Sequence, residues 1–405
     1  WDQVARPALL EGPAGRHPRN RGGKRLRMLP EAEQSTRPCR HLSARDRCIV
    51  HAIGQSRTPR LTDAIATCAP PAGRPRVHVT TLVRHGAQSP YCRMMTPSVL
   101  LTSMGSGVVT AVLDCLDGRR EDLRIVGIGC NPDTEDRARC DAFIPVPPTD
   151  DPAWSSAVSA IVHESAPMAI VPGRCDDVVA LAHLGGTDHA LSRALLAGHM
   201  PLAAELRDPV RAADLARRIG LPFALTVATG LADSATQAAQ LLDVHPGPWI
   251  VKPSSGSGSR GAWITRQRDL VLSAAELATH AIQPFLGAPP QELARTDPLP
   301  VLDASSMLDA DVQVILGPNS GVLATGAFAT TMRAGRVSEV VTHGDPAIAD
   351  LARAYADALS AAGWRGPVNI QAAQGPDGQW LAFEINPRFS GGSHARSLLG
   401  FDEVH

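Results

Sequence analysis

The chain has 405 residues, a hydrophobic fraction of 44% and a mean hydropathy of -0.05. That is room for two or three domains with cores of their own, and no stretch approaches the ~18 to 20 uninterrupted apolar residues of a membrane helix. Eight cysteines without a C-x-x-C pair exclude a zinc ribbon or redox dithiol, and a chain of this size needs no disulfide framework.

The net charge of -1 is unevenly spread. Residues 1 to 97 hold 17 Lys plus Arg against 6 Asp plus Glu, and the remainder holds 22 against 34. Residues 1–93 lack a helical or strand period and are rich in Arg, Pro, Gly and His. They read as a basic leader, either disordered or translated ahead of the true start; Met94 and Met95 stand just before the first convincing strand. A basic front is also the footprint of nucleic-acid contact, although that reading rests on this segment alone. Arg84-His85-Gly86 resembles the RHG of histidine phosphatases, but Gln88 stands where they carry a second arginine, and that reading is set aside. No secretory signal is read at the start, and cytoplasmic residence is the expectation.

From Ser98 the texture changes. Ser98 to Thr102 predicts a buried strand, Ser103 to Gly107 a tight glycine turn, and Val108 to Leu116 an amphipathic helix. Strands over Leu123 to Ile128, Ala142 to Val146 and Met168 to Val171, with a helix over Trp154 to Glu164, imply a parallel, Rossmann-like sheet. Gly105-Ser-Gly107 lacks the third glycine of a dinucleotide fingerprint and reads as a structural turn or a lip of the substrate site. Residues 176–224 read as helical, with Arg211 to Ile219 ended by Gly220 and Pro222. A second α/β unit is expected from Phe223 to about Ile282. The last unit has strands around Val312 to Ile315 and Gly321 to Phe328, a helix over Pro346 to Ala362, and strands at Val368 to Ala373 and Trp380 to Ile385.

Two stretches carry chemistry. Trp249-Ile-Val-Lys252-Pro253 is an apolar strand ending in a cation, and Lys252 is the only lysine after Lys24. It runs into Ser254-Ser-Gly-Ser-Gly-Ser-Arg-Gly261, whose glycines allow the backbone to close over phosphates and present its N–H groups. Candidate nucleotide contacts are therefore Lys252, Ser255, Gly256, Ser257 and Gly258. The second stretch combines Val368-Asn-Ile-Gln371 with Phe383-Glu384-Ile-Asn386-Pro-Arg388. Alternate residues of a strand share a face, so Glu384 and Asn386 project together and Gln371 on a neighbouring strand can face them. One carboxylate and two amides are hard oxygen donors suited to Mg2+ or Mn2+, and Arg388 suits a transferred phosphoryl group.

These stretches, VKPSSGSGSRG, VNIQ and FEINPRFSGG, resemble the ATP-grasp superfamily, in the branch that includes the large subunit of carbamoyl-phosphate synthetase. The resemblance implies α/β and α+β architecture: a Rossmann-like pre-ATP-grasp domain followed by a two-lobed ATP-grasp fold. Boundaries are expected at 94–186, 187–282 (N-terminal lobe) and 283–405 (C-terminal lobe). It implies Lys252 and Arg388 as catalytic cations, Gln371, Glu384 and Asn386 as metal ligands, and an adenine hinge at Gln283, Phe285 and Leu286. Asp309 or Asp311 would meet the ribose. The activity implied is carboxylate activation with Mg-ATP for attack by an amine or similar nucleophile. The family's cation after the helix-opening aspartate is replaced by Pro209 behind Asp208, which leaves Arg211 as the nearest candidate. The stretch from Gly287 to Ser306 departs in its wealth of Pro, and the chain stops at Gly400 to His405 where relatives continue into a helix, so a truncated end is expected. A degenerate, non-catalytic ATP-binding protein of the same fold is the alternative.

Overall fold

The computed structural model describes residues 96–256, 258–305 and 307–405. The basic leader and the RHG motif therefore lie outside the described residues, as does the whole of Ser257.

Four short strands open the described chain: β1 (Ser98–Leu101), β2 (Arg124–Gly129), β3 (Ala142–Pro145) and β4 (Ala169–Val171), with α1 (Gly107–Leu116) and α2 (Pro152–Ser165) between them. Every pairing is parallel, in the order β3-β2-β1-β4. The apolar runs of β1 and β2 are buried, as a parallel sheet covered by crossovers requires. At the tip of β1, Gly105 has φ +87°, and a Cβ there would lie 2.6 Å from Thr134 Oγ1, so only glycine fits the turn. Ser106 then caps α1 by accepting from the Val109 amide.

Four helices follow: α3 (Cys175–Leu184), α4 (His189–Ala194), α5 (Leu202–Arg207) and α6 (Pro209–Arg218). Asp208 accepts from the amides of Val210 and Arg211, and Pro209 occupies the first turn. The Asp208-Pro209 pair is thus a helix start, in which the missing proline N–H costs nothing.

The second sheet contains β5 (Val227–Ala228), β6 (Trp249–Pro253), β7 (Trp263–Thr265), β8 (His280–Pro284) and β9 (Leu299–Pro300), with α7 (Ser234–Val244) and α8 (Arg268–Ala274). It is antiparallel throughout, in the order β5-β8-β6-β7-β9. The third is also antiparallel, in the order β12-β11-β10-β13-β14. Its strands are β10 (Met307–Leu316), β11 (Val322–Arg333), β12 (Arg336–Thr342), β13 (Gly366–Gln374) and β14 (Trp380–Asn386), accompanied by α9 (Pro346–Ala361) and α10 (Ser393–Leu398).

Packing divides these layers unequally. One core joins the parallel sheet (Leu100, Val126, Ile170) to the third sheet and α9 (Val312, Ile370, Ile348, Tyr355). The second sheet instead buries Val227, Trp249, Val251 and Ile282 against Leu241 of α7 and Val271 of α8. Two further contacts clamp the first union. Trp364 is fully buried with Gly198 so close that a Cβ there would sit 2.2 Å from the indole. Gly366, at φ +85°, lies under the Leu196 carbonyl.

Candidate nucleotide and metal site

Lys252 is the fourth residue of β6, and its Nζ donates to the Phe383 carbonyl at 3.0 Å, lying 5.8 Å from the centre of the Phe383 ring. A second donor reaches the same carbonyl. Gln283, on β8 beside β6, is fully buried, and its Nε2 donates to Thr226 Oγ1 at 2.8 Å and to Phe383 O at 3.3 Å. That carbonyl is available because β14 carries one extra residue. Gln371 pairs with Glu384 and Ala372 with Ala382, so Phe383 falls outside the ladder with β13.

The loop after Lys252 is built for unusual backbone. Gly256, Gly258 and Gly261 have φ of +130°, +66° and +75°, and Ser255, Gly256 and Gly258 are exposed. Gly335, in the β11–β12 turn, approaches so closely that a Cβ would meet the Gly258 carbonyl at 2.9 Å. On the other side, the Arg207 guanidinium donates to the Ser254 carbonyl. Sequence reasoning looked after Asp208 for a cation and named Arg211, whose side chain is exposed. The cation touching this loop stands before Asp208 instead, at the end of α5, where a spacing rule would not search.

The expected metal-binding residues lie together. The register sets Gln371 opposite Glu384 and Asn369 opposite Asn386, and Asn386 Nδ2 donates to Glu384 Oε1 at 3.0 Å. Asn386 Oδ1 accepts from Arg388 Nη2 at 2.9 Å and from the Cys175 thiol at 3.2 Å. Arg388 also donates through Nη1 to the Phe389 carbonyl at 2.7 Å. Burial pushes the Cys175 thiol above its ordinary range, against the opposing pull of Arg388. Among the described residues no group of three His, Cys, Asp or Glu is arranged around a common point. The donor set Gln371, Glu384 and Asn386, with one carboxylate and two amides, nevertheless fits a hard divalent cation that keeps other oxygen ligands. The amide oxygen of Asn386 would have to give up one of its two present donors to bind it.

At the hinge, the Phe285 amide already donates to the Pro248 carbonyl at 2.9 Å, and the Phe285 ring packs beside Ile264 and Leu299. Any adenine contact must therefore use other backbone groups of the Gln283 to Leu286 segment. Of the two ribose candidates, the Asp309 side chain lies outside the described residues. Asp311 is 1% exposed and faces inward: Thr330 Oγ1 donates to it at 2.8 Å, and Arg396 Nη1 lies 3.8 Å away. Arg396, fully buried, also donates to Glu403 Oε1 at 2.7 Å and to Gln313 Oε1 at 3.1 Å. Burial raises the Asp311 carboxyl above its ordinary range, with Arg396 opposing. An interior carboxylate tied into this cluster does not reach a ribose, and Asp311 is withdrawn from that role. A cavity of about 490 Å3 bordered by Ala310, Ala372, His343 and Trp380 contains none of the candidate phosphate or metal residues.

A parallel-sheet unit preceding two antiparallel lobes, one bearing a cation and glycine loop and the other a polar strand pair, defines the ATP-grasp architecture. This chain has the ATP-grasp fold, as comparison with solved structures shows. It is similar to N5-carboxyaminoimidazole synthetase from Staphylococcus aureus complexed with ADP, with TM-score 0.57, 12% identity and coverage of 76% of each chain. It is similar to biotin carboxylase in a β-γ-ATP complex from Campylobacter jejuni, with TM-score 0.57, 15% identity and coverage of 77% of this chain and 70% of that one. A third similar structure is the biotin carboxylase domain of the Hydrogenobacter thermophilus 2-oxoglutarate carboxylase, in complex with MgADP, ADP and bicarbonate. It has TM-score 0.53 and 15% identity, and the match covers 72% of this chain and 64% of that one. No family model and no curated protein sequence matches the chain. Among the described residues no helix is long and apolar enough to cross a membrane.

Proposed function

We propose that this protein is an ATP-dependent ligase that activates a carboxylate as an acyl phosphate and passes the acyl group to an amine or similar nucleophile. The observation that carries the reading is the shared face of Gln371, Glu384 and Asn386, with Arg388 donating to Asn386 and with Lys252 joined to the same strand through the Phe383 carbonyl. A carboxylate oxygen would attack the γ-phosphorus as the bond to the departing ADP breaks. The nucleophile would then displace phosphate from the acyl carbon and lose its proton. Lys252 would bind the α- or β-phosphate, and Arg388 would balance charge on the transferred group. Gln371, Glu384 and Asn386 would hold Mg2+ or Mn2+, which when bound screens phosphate charge. Rate would come from positioning and electrostatics, since the mechanism needs no nucleophilic side chain.

The carbamoyl-phosphate-synthetase-like pairing of a small acid with an amine is the finer reading we favour. Bicarbonate is the first acid to try, because it appears with MgADP in one similar structure. The domain boundaries proposed are 94–186, 187–282 and 283–405. The test is ATP binding by the full chain with and without Mg2+, followed by phosphate release with bicarbonate and a panel of carboxylates, each with ammonia or primary amines. Release requiring both acid and nucleophile supports a ligase. Mg-ATP binding with no stimulated release by any pair would make this a nucleotide-binding member without turnover.

A further inference from the structure

Three consecutive residues at the start of α3 each reach a different layer. Asp177 is fully buried and ties the helix to the parallel sheet: Thr102 Oγ1 donates to it at 2.6 Å and Thr149 Oγ1 at 2.7 Å. Gly173, just before the helix, allows this approach, since a Cβ there would meet the Thr102 carbonyl at 2.3 Å. Cys175 donates to Asn386 on β14. Asp176 accepts from Arg207 Nε at 2.8 Å, and the same guanidinium grips the Ser254 carbonyl at the root of the glycine loop. The Arg207 side chain is 13% exposed and Asp176 44%.

We propose that Asp176 and Arg207 are positioning residues for the nucleotide: a strap from the parallel-sheet unit that holds the phosphate loop in its binding-ready shape. The inference rests on the nucleotide-site reading above and adds residues that the loop motif does not contain. A loop with three glycines at positive φ has many conformations to lose, and binding alone would have to order it. Fixing the carbonyl of its first residue removes much of that freedom beforehand. Arg207 is suited to the task because its planar fork donates to two acceptors at once. Asp176 keeps that fork aimed, and Asp177 anchors Asp176 by fixing the helix.

The test is calorimetric titration of Mg-ATP into the full chain and into Arg207→Ala, Arg207→Lys, Asp176→Asn and the Arg207→Ala/Asp176→Asn double variant, beside Lys252→Ala. Arg207→Ala is expected to weaken binding about tenfold, in line with loss of a charge-assisted hydrogen bond. Asp176→Asn should cost about threefold, and the double variant no more than Arg207→Ala alone, because the two residues act in series. Added guanidinium chloride at low millimolar concentration should restore part of the affinity of Arg207→Ala and leave Lys252→Ala unchanged. A general packing defect would show no such rescue. If Arg207→Ala does not fold, Asp176→Asn and Arg207→Lys decide. Mg-ATP binding lost in Lys252→Ala but equal to the parent in the strap variants overturns this inference alone. No binding by the parent overturns it together with the nucleotide-site reading.

Discussion

Lys252→Met isolates one charge while keeping an unbranched side chain of similar length beside Phe383. Two unit charges about 4 Å apart attract by about 1 kcal/mol in water and about 4 kcal/mol at the effective dielectric of a protein surface. Lys252 is half-buried, and its ammonium already donates to the Phe383 carbonyl, so part of its hydrogen bonding is committed before phosphate arrives. A loss of about 2 kcal/mol is therefore expected, or about 30-fold in the dissociation constant. The assay is Mg-ATP titration at two ionic strengths, with the melting temperature of each protein as a control. The deficit should shrink at high salt, because a half-exposed pair is partly screened. Affinity within about threefold of the parent, in a variant that melts normally, would refute the assignment of Lys252 to the phosphates.

Glu384→Gln keeps an oxygen to accept from Asn386 Nδ2 and removes only the charge, so the half-saturating Mg2+ concentration should rise about tenfold; an unchanged magnesium dependence would count against the metal reading. Among the described cysteines, alkylation at pH 8 should strike exposed Cys130 first, because burial pushes Cys115 up to about 12 and Cys140 up to about 11 and raises Cys175 as well; peptide mass spectrometry gives the order. His245 and His343 are held below the ordinary 6.5 by burial, and the Nδ1 of each accepts a backbone N–H, from Gly247 and Asp345 respectively. The unfolded chain binds these protons first, so their contribution is intact above pH 6.5 and is lost as pH falls through 6.5 toward the folded values. The melting temperature should fall between pH 7.5 and 5.5, with a smaller fall in His343→Gln. Gly198→Ala should cost about 3 kcal/mol by forcing a methyl into the Trp364 ring, seen as a loss of several degrees in thermal denaturation.

Much of the fold was legible because its elements are periodic and well punctuated. The parallel strands of the first sheet are short apolar runs between turn signals, and α9 begins at Pro346 behind the cap Asp345. The strand pair bearing Gln371, Glu384 and Asn386 was legible for the same reason. What escaped was the expected α/β unit after Phe223, whose sheet is antiparallel. Composition does not reveal strand direction when strands are two to five residues long. Strand β12 has alternating polar residues and no flanking proline, and it was missed. The interior role of Asp311 was hidden because its partners, Thr330 and Arg396, are distant in sequence. Arg207 was hidden for the opposite reason: it sits one place before Asp208, and only the fold turns it toward Ser254.

The unpaired Phe383 carries one more consequence. Ala382 and Ile385 are three positions apart on β14, yet both are buried in the core beneath α9. A continuous strand would send residues three apart to opposite faces. The extra residue therefore shifts the phase of the strand by half a period, and everything beyond it exchanges sides. Without that shift, continuing the pairing from Ala382 would place Glu384 opposite Ile370, pointing into hydrocarbon under the helix. Excising Phe383 would restore strict alternation with Glu384 and Asn386 still facing Gln371 and Asn369, and would remove only the unpaired carbonyl on which Lys252 and Gln283 converge.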